Sequence, residues 1–425
     1  MIVTSLDPVR LVDEDLWIAG DRIGKPGVGT RIPCSDAVVV PGNVCAHTHL
    51  YSALARGMPY TLEPPRTFLE ILQRVWWRLD RALDPASVHA SALVGGVEAL
   101  LCGTTTLFDH HSSPSTIDGS LDLIADALGS LGVRSVLCYE TSDRDGPACA
   151  RAAVEENRRF LRARRPLARG LVGAHASFTL SDETLAACVE IGDGLHVHAA
   201  EDGVDERDAG ALHGTTVVRR LAEAGALDER TLLAHGVHLG DDEIELTRAA
   251  NATVAHNARS NMNNGVGRAR VEALGPRLAL GTDGIGSDLF EESRTAYFRL
   301  RDDGSGAAAD WPLTRLAESA RLAGRLFGEP LLGTLVPGAP ADLVVLDYHA
   351  PAPLDEQTFG GHWVFGLSSR NVRDVMVSGE WVVKDRRLAH VDEREIAAAA
   401  LDEAKRLARR LDEIDPHAFA PKGGV

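Results

Sequence analysis

His47-Thr48-His49 closes an apolar run of the chain. Side chains two apart in an extended strand project to one face, so both imidazoles can reach a single ion, and imidazole suits zinc, iron and nickel. His196-Val197-His198 repeats the spacing in a second apolar run. His198, at the end of that run, is the natural third ligand, while His196 is set deeper as a packed histidine. Glu201 follows within one turn of chain, placed to reach a water beside the ion without ligating the ion, which is a general acid/base position. His235 ends a further run, and Asp283 stands in Gly281-Thr282-Asp283-Gly284. A carboxylate there can touch the ion and also accept the proton of the water. The chemistry expected of such a set is hydrolysis, because a bound divalent ion lowers the pKa of its water to roughly 7.

These residues need a frame that brings distant strand ends together. Runs beginning at Val38, Thr104, Val133, Gly170, Leu195, Thr231, Ala252 and Arg277 alternate with helical patterns. That alternation reads as repeated βα units. The expected fold class is α/β, a (β/α)8 TIM barrel with its active site at the strand C-terminal ends. The first run, VVVPGNVCAHTH, reads as one strand. Phe68 to Leu83 has helical spacing, with Trp76 and Trp77 read as packing residues. Gly-Pro-rich sequence from Gly333 to Pro340 marks a boundary, beyond which ADLVVLDY and RNVRDVMVSGEWVVKD alternate as strands. With the N-terminal DLWIAGDRI these predict a small β-sandwich built from both chain ends. The expected domains are residues 1–40 with 338–392 for the sandwich, 41–337 for the barrel, and 393–425 for a C-terminal helical extension.

A formal charge of −17 over 425 residues repels polyanions, which argues against nucleic acid or an anionic membrane as partner. A small neutral or weakly cationic substrate suits it better. Neither an apolar leader segment nor a membrane-length apolar run is present in the sequence, and a cytoplasmic protein is expected. Six cysteines are scattered without CxxC pairs and read as buried thiols. The only lysines are Lys25, Lys384, Lys405 and Lys422, so the predicted barrel has none.

The order PGNVCAHTHLYSALARG, HVHAAE, LLAHGVHL, VAHNARSNMNNGVG and LALGTDG resembles the amidohydrolase superfamily in its cytosine deaminase and triazine hydrolase branch, over nearly the whole chain. FLEILQRVWWRLDRAL, TLFDHHSSP, YETSDRDG and HNARSNMNNGVG are most similar to the aminohydrolases associated with selenium metabolism. The resemblance implies one divalent ion held by His47, His49, His198 and Asp283, with Glu201 as proton shuttle. It further implies that His235 contacts the attacking hydroxide or the substrate oxygen, that Asp283 doubles as base, and that His175 in GAHASF binds substrate. Arg259, Ser260 and Asn261 fall at the seventh-strand mouth and are expected to line the pocket. Binuclear relatives bridge two metals with a carboxylated lysine of the fourth strand. The lysine-free barrel therefore favours one ion, zinc first with iron or nickel as alternatives, although a bridging Glu or Cys stays open. His110 and His111 are expected to line the pocket or to hydrogen-bond, and Glu140 and Arg144 to line it or to pair with each other.

The expected function is hydrolytic deamination of a purine-, pterin- or triazine-like amino-heterocycle by a homodimeric enzyme. Hydrolysis of a cyclic amide or of a ring halide is the enzymatic alternative, and a catalytically silent metal-binding barrel is the alternative of a different class.

Overall fold

The valine run at Val38 does not continue as one strand, which corrects the sequence reading. Val38–Pro41 belongs to one sheet and Asn43–Thr48 (β1) to another. Between them, a Cβ on Gly42 would lie 2.3 Å from Thr105 Oγ1, so only glycine lets the chain cross at this point. The computed structural model describes residues 1–34 and 37–423.

β1 pairs with Thr104–His111 (β2), β2 with Arg134–Tyr139 (β3), and β3 with the short strand Ala168–Gly170, all in parallel. A second parallel sheet runs in chain order through Val172–Ala176 (β4), Leu195–Ala199 (β5), Leu232–His235 (β6), Thr253–His256 (β7) and Leu278–Leu280 (β8). The predicted strand at Gly170 is thus also divided, its two halves pairing with different neighbours. The two sheets meet at parallel bridges between Thr48 and Asp283 and between Thr141 and Ala174. Near the second bridge, a Cβ on Gly173 would stand 2.2 Å from the Tyr139 carbonyl oxygen. Strands β1 to β8 are buried throughout, as parallel strands covered by helices must be.

Both chain ends contribute to a seven-stranded sheet in the order Arg387–Leu388, Glu380–Lys384, Val372–Val377, Leu343–Leu346, Val38–Pro41, Ile2–Leu6, Val9–Val12. A three-stranded sheet of Leu16–Ala19, Arg22–Ile23 and Thr30–Ile32 shares an apolar core with it, formed by Ile2, Leu16, Ile18, Val39, Leu343 and Met376. Arg134, opening β3, reaches across to this sheet. Its Nε and Nη2 donate to the two carboxylate oxygens of Asp342 at 3.0 and 3.1 Å, and Nη2 also reaches Ser378 Oγ at 2.8 Å. Both partners are buried, so Arg134→Ala strands a carboxylate without its counter-charge. A loss of about 3 kcal/mol or more is expected in denaturant unfolding, with metal content unchanged.

The predicted helix from Phe68 to Leu83 is interrupted. Phe68–Ile71 and Trp77–Ala82 are α-helical, but Leu72–Trp76 forms a wide turn in which the Trp77 amide bonds to the Leu72 carbonyl. Such turns place successive side chains differently from an α-helix and occur often at functional sites. The C-terminal helix runs from Glu393 to Asp412, and the chain after it folds back over the wide turn. Arg78 Nε donates to the Ile414 carbonyl at 2.6 Å and the His417 amide to the Gln73 carbonyl at 2.9 Å. No helix among the described residues is long and apolar enough to cross a membrane. The six cysteines are free thiols, of which Cys34, Cys45, Cys138 and Cys188 are buried and Cys102 and Cys149 half-buried.

Candidate active site

The strand ends converge as the strand geometry of HxH dictates. His49 Nε2 lies 3.0 Å from Asp283 Oδ1 and 3.2 Å from His198 Nε2, and His47 Nε2 lies 3.6 Å from the same aspartate oxygen. The other nitrogen of each ring is engaged behind it. His49 Nδ1 donates to the His110 carbonyl at 2.6 Å, His198 Nδ1 donates to the His175 carbonyl at 2.8 Å, and His47 Nδ1 pairs with His196 Nε2 at 2.9 Å. Carbonyl oxygens accept only, so both Nδ1 atoms carry protons; without an ion His49 Nε2 holds a second proton toward Asp283, and with that proton displaced by an ion both Nε2 atoms offer lone pairs to the same space. His47 Nε2 and His235 Nε2 are buried without hydrogen-bond partners. Lone pairs and a carboxylate facing one small space need a cation between them, and three imidazoles with one carboxylate make a donor set suited to a divalent ion.

The electrostatics follow from burial and from this convergence. Burial holds His198 well below the ordinary histidine range and His47 at about 3. His49 is also disfavoured as a cation by burial, yet the adjoining Asp283 carboxylate lifts it to about 9, and the histidines hold Asp283 well below the ordinary carboxylate range. Asp283 adopts φ +53° and His235 φ +74°, conformations that non-glycine residues rarely take and that the surrounding bonds must hold. Thr48 Oγ1 donates to the Asp283 carbonyl at 3.0 Å, and Ser260 Oγ bonds its Oδ2.

Glu201 stands beside the cluster with Oε2 at 3.5 Å from His235 Nε2, and its Oε1 accepts from Asn264 Nδ2 at 3.3 Å. Burial raises this carboxyl to about 7. A carboxyl balanced near neutrality both takes and gives a proton readily. Asn261 Oδ1 accepts from His235 Nδ1 at 2.8 Å, which turns the Nε2 of that ring toward Glu201. Asn261→Ala leaves this tautomer unheld, and kcat is expected to fall about tenfold or more with metal content retained, as read by steady-state kinetics alongside elemental analysis.

The cluster opens into a cavity of about 560 Å³, mouth included. Tyr51, Phe68, Trp76, Trp77 and Phe178 form its apolar walls, and Glu140, His175, Asp202, Asp205 and Asn264 supply further polar groups. An apolar slot with a few convergent polar groups is what a flat heterocycle needs.

The model of the Amidohydrolase family matches residues 38–382. The chain belongs to the amidohydrolase family. It is 31% identical over 424 residues to the 5-methylthioadenosine/S-adenosylhomocysteine deaminase of Pelotomaculum thermopropionicum, covering 94% of this chain and 95% of that one. To the 5'-deoxyadenosine deaminase of Methanopyrus kandleri it is 29% identical, covering 87% and 86%. Its fold resembles an adenosine deaminase from Xanthomonas campestris with bound zinc, at 24% identity and a TM-score of 0.81 over 97% of each chain. It also resembles the zinc complex of atrazine chlorohydrolase from Arthrobacter aurescens, at 22% identity and a TM-score of 0.79 over 96% and 98%.

Within this family fold the expected residues fall into overlapping groups, His47 with His49 and Asp283, His47 with His198 and His235, and Glu201 with His235 and Asp283, while His49 and His198 also group with His110 and Glu140. His175 reaches the cavity, its Nδ1 held by Thr179 Oγ1 at 2.7 Å. Three expected pocket residues, Arg259, Ser260 and Asn261, do not line it, Ser260 being bonded to Asp283. Arg259 is committed to a salt-bridge pair, Nε to Glu292 at 2.6 Å and Nη1 to Glu291 at 2.8 Å, because the Leu289–Asp302 helix lies behind it. Asn261 is spent on His235. Trp76 and Trp77 pack as expected, Trp77 fully buried in an apolar cluster and Trp76 against it, and both also border the cavity. Glu140 and Arg144 do pair, at 2.6 Å, and Glu140 lines the cavity as well. His110 hydrogen-bonds the Ala174 and His196 carbonyls at 3.1 Å, and His111 bonds Ser113 Oγ at 2.8 Å. Asn264 was legible only as the residue one helical turn beyond Ser260, whose Oγ it reaches at 3.3 Å. His196 is the deeper, packed histidine expected from the second HxH, and its partner His47 is what the spacing did not reveal.

Proposed function

We propose that this chain is a metal-dependent aminohydrolase that removes ammonia from an amino-substituted nitrogen heterocycle, with the aminopurine ring as the leading substrate class. The reading rests on the facing Nε2 atoms of His49 and His198 beside Asp283, with Glu201 one residue-width away. In it, His47, His49, His198 and Asp283 hold one zinc ion. The donor set supports this, and so does the zinc in the adenosine deaminase of similar fold. When bound, the ion supplies Lewis acidity, activating water at neutral pH and polarising the substrate.

The remaining work falls to side chains. Glu201 takes a proton from the attacking water and hands it to a ring nitrogen, which makes the adjacent carbon more electrophilic. Asp283 takes the proton of the newly added hydroxyl and passes it to the departing amine, and the C–N bond breaks with release of ammonia as the ring carbon becomes a carbonyl. His235 holds the nucleophilic oxygen through Nε2, and Asn261 holds His235. The aromatic walls orient the ring, and His175 offers Nε2 to its edge. Arg259 serves the fold rather than the substrate.

The same reading takes the two parallel sheets as one (β/α)8 barrel closed through the Thr48–Asp283 and Thr141–Ala174 bridges, with the seven- and three-stranded sheets as its β-sandwich companion. Zinc-loaded protein is expected to release stoichiometric ammonia from at least one aminopurine nucleoside in a panel that also holds pterins and triazines. A ring-opened or dehalogenated product without ammonia would replace deamination by the neighbouring chemistry.

A further inference from the structure

We infer that the cavity selects against amino-heterocycles whose substituent is a net anion, and that Glu140 is the residue that carries the selection. The inference rests on the aminohydrolase reading and adds the charge of the substrate to it. Among the described residues lining the cavity, the carboxylates are Glu140, Glu201, Asp202, Asp205 and Asp283, and none is a lysine or an arginine. Glu201 and Asp283 belong to the reacting end and Asp205 is spent on the Phe178 and Ala200 amides, while Glu140 lies within 4.8 Å of His49 and His198, where it meets the edge of a ring seated on the cluster.

An anionic substituent needs a cation within reach, and the guanidinium next to this cavity is already taken. Arg144 is buried behind Glu140, with Nη1 at 2.6 Å from Glu140 Oε1, Nη2 at 2.5 Å from Asp80 Oδ2 and Nε at 3.4 Å from Asp145 Oδ2. One positive charge among three carboxylates leaves the group net negative, and Glu140 is its member on the cavity surface. Glu140 also faces His110 Nδ1 at 3.3 Å and His175 Nε2 at 4.0 Å. A carboxylate or phosphate brought against it meets like charge in a water-poor setting, where repulsion is costly. A neutral or cationic substituent meets an acceptor. The names of relatives at about 30% identity cover an uncharged tail, in 5-methylthioadenosine, and a zwitterionic one, in S-adenosylhomocysteine, whose carboxylate is accompanied by an ammonium. On this inference, the present chain rejects substrates whose substituent is a net anion.

The test uses zinc-loaded protein and ring-matched pairs: adenosine against adenosine 5'-monophosphate, and pterin against pterin-6-carboxylate. In each pair that reacts, kcat/KM for the anionic member is expected to be at least about a hundredfold lower. Equal or faster turnover of the anionic member overturns the selection while leaving deamination in place. Calorimetric titration of the same pairs reads the selection without turnover, so tighter binding of the neutral member supports it even where no ammonia appears and only the deaminase reading falls. Equal binding, or no binding of either member of any pair, overturns it. Glu140→Gln is expected to narrow the kcat/KM ratio about tenfold, Arg144 keeping Asp80 and Asp145 as partners, while Glu140→Asp preserves it. An unchanged ratio in a folded Glu140→Gln protein removes Glu140 as the determinant.

Discussion

Glu201→Gln is expected to lower kcat by at least about a hundredfold while the protein keeps its metal. The amide preserves the shape of the side chain and its contact with Asn264 but neither accepts the proton of the attacking water nor delivers one to the ring. Stability should move the other way. Burial raises the Glu201 carboxyl to about 7, so between its ordinary value near 4.5 and about 7 the folded protein holds a proton that the unfolded chain has released. Stability from this group is therefore complete at low pH and is lost as pH rises through 7. In metal-free protein above pH 7, Glu201→Gln removes that penalty and is expected to stabilise by up to about 3 kcal/mol, with no difference near pH 4.5. Thermal unfolding at the two pH values, read beside kcat, separates the roles. A variant that is equally active, or one that loses activity only in proportion to a loss of fold, would take Glu201 out of the chemistry.

Removing the ion, or the His198 ligand, is expected to have the second large effect. His198→Ala takes one of two facing lone pairs away, and metal content should fall well below one ion per chain with turnover reduced at least about a hundredfold. Chelation of the unchanged protein should abolish activity, and added zinc should restore it. Because Asp283 and His198 crowd His49 Nε2 at 3.0 and 3.2 Å, the metal-free site holds groups that the ion would otherwise reconcile. The melting temperature is expected to drop on chelation and recover with zinc, in step with activity. Full metal occupancy in His198→Ala would reassign the ligand.

The candidate site was unevenly legible. HxH pairs announce themselves because a strand repeats every two residues, so spacing alone puts His47 and His49 on one face. His198, Glu201 and Asp283 sit just past apolar β-branched runs, and a parallel α/β fold places such positions at one end of the molecule. The residues that hold this set in place gave no comparable signal. His196 behind His47, Asn261 behind His235 and Ser260 behind Asp283 are pairings across 149, 26 and 23 residues, and no local period encodes them.

By itself, the sequence determined the features that chain neighbours set: the alternation of strand and helix, the imidazoles on common faces, the lysine-free stretch between Lys25 and Lys384 and the acidic balance. Only the tertiary structure decided which way Arg259 turns, that Trp76 and Trp77 become cavity wall, that the first strand divides at Gly42, and that Arg144 is consumed by three carboxylates. The physical reason is that periodicity and propensity act over a few residues. Burial, counter-charge and the proton affinity of a buried group are set instead by atoms that packing delivers from elsewhere in the chain.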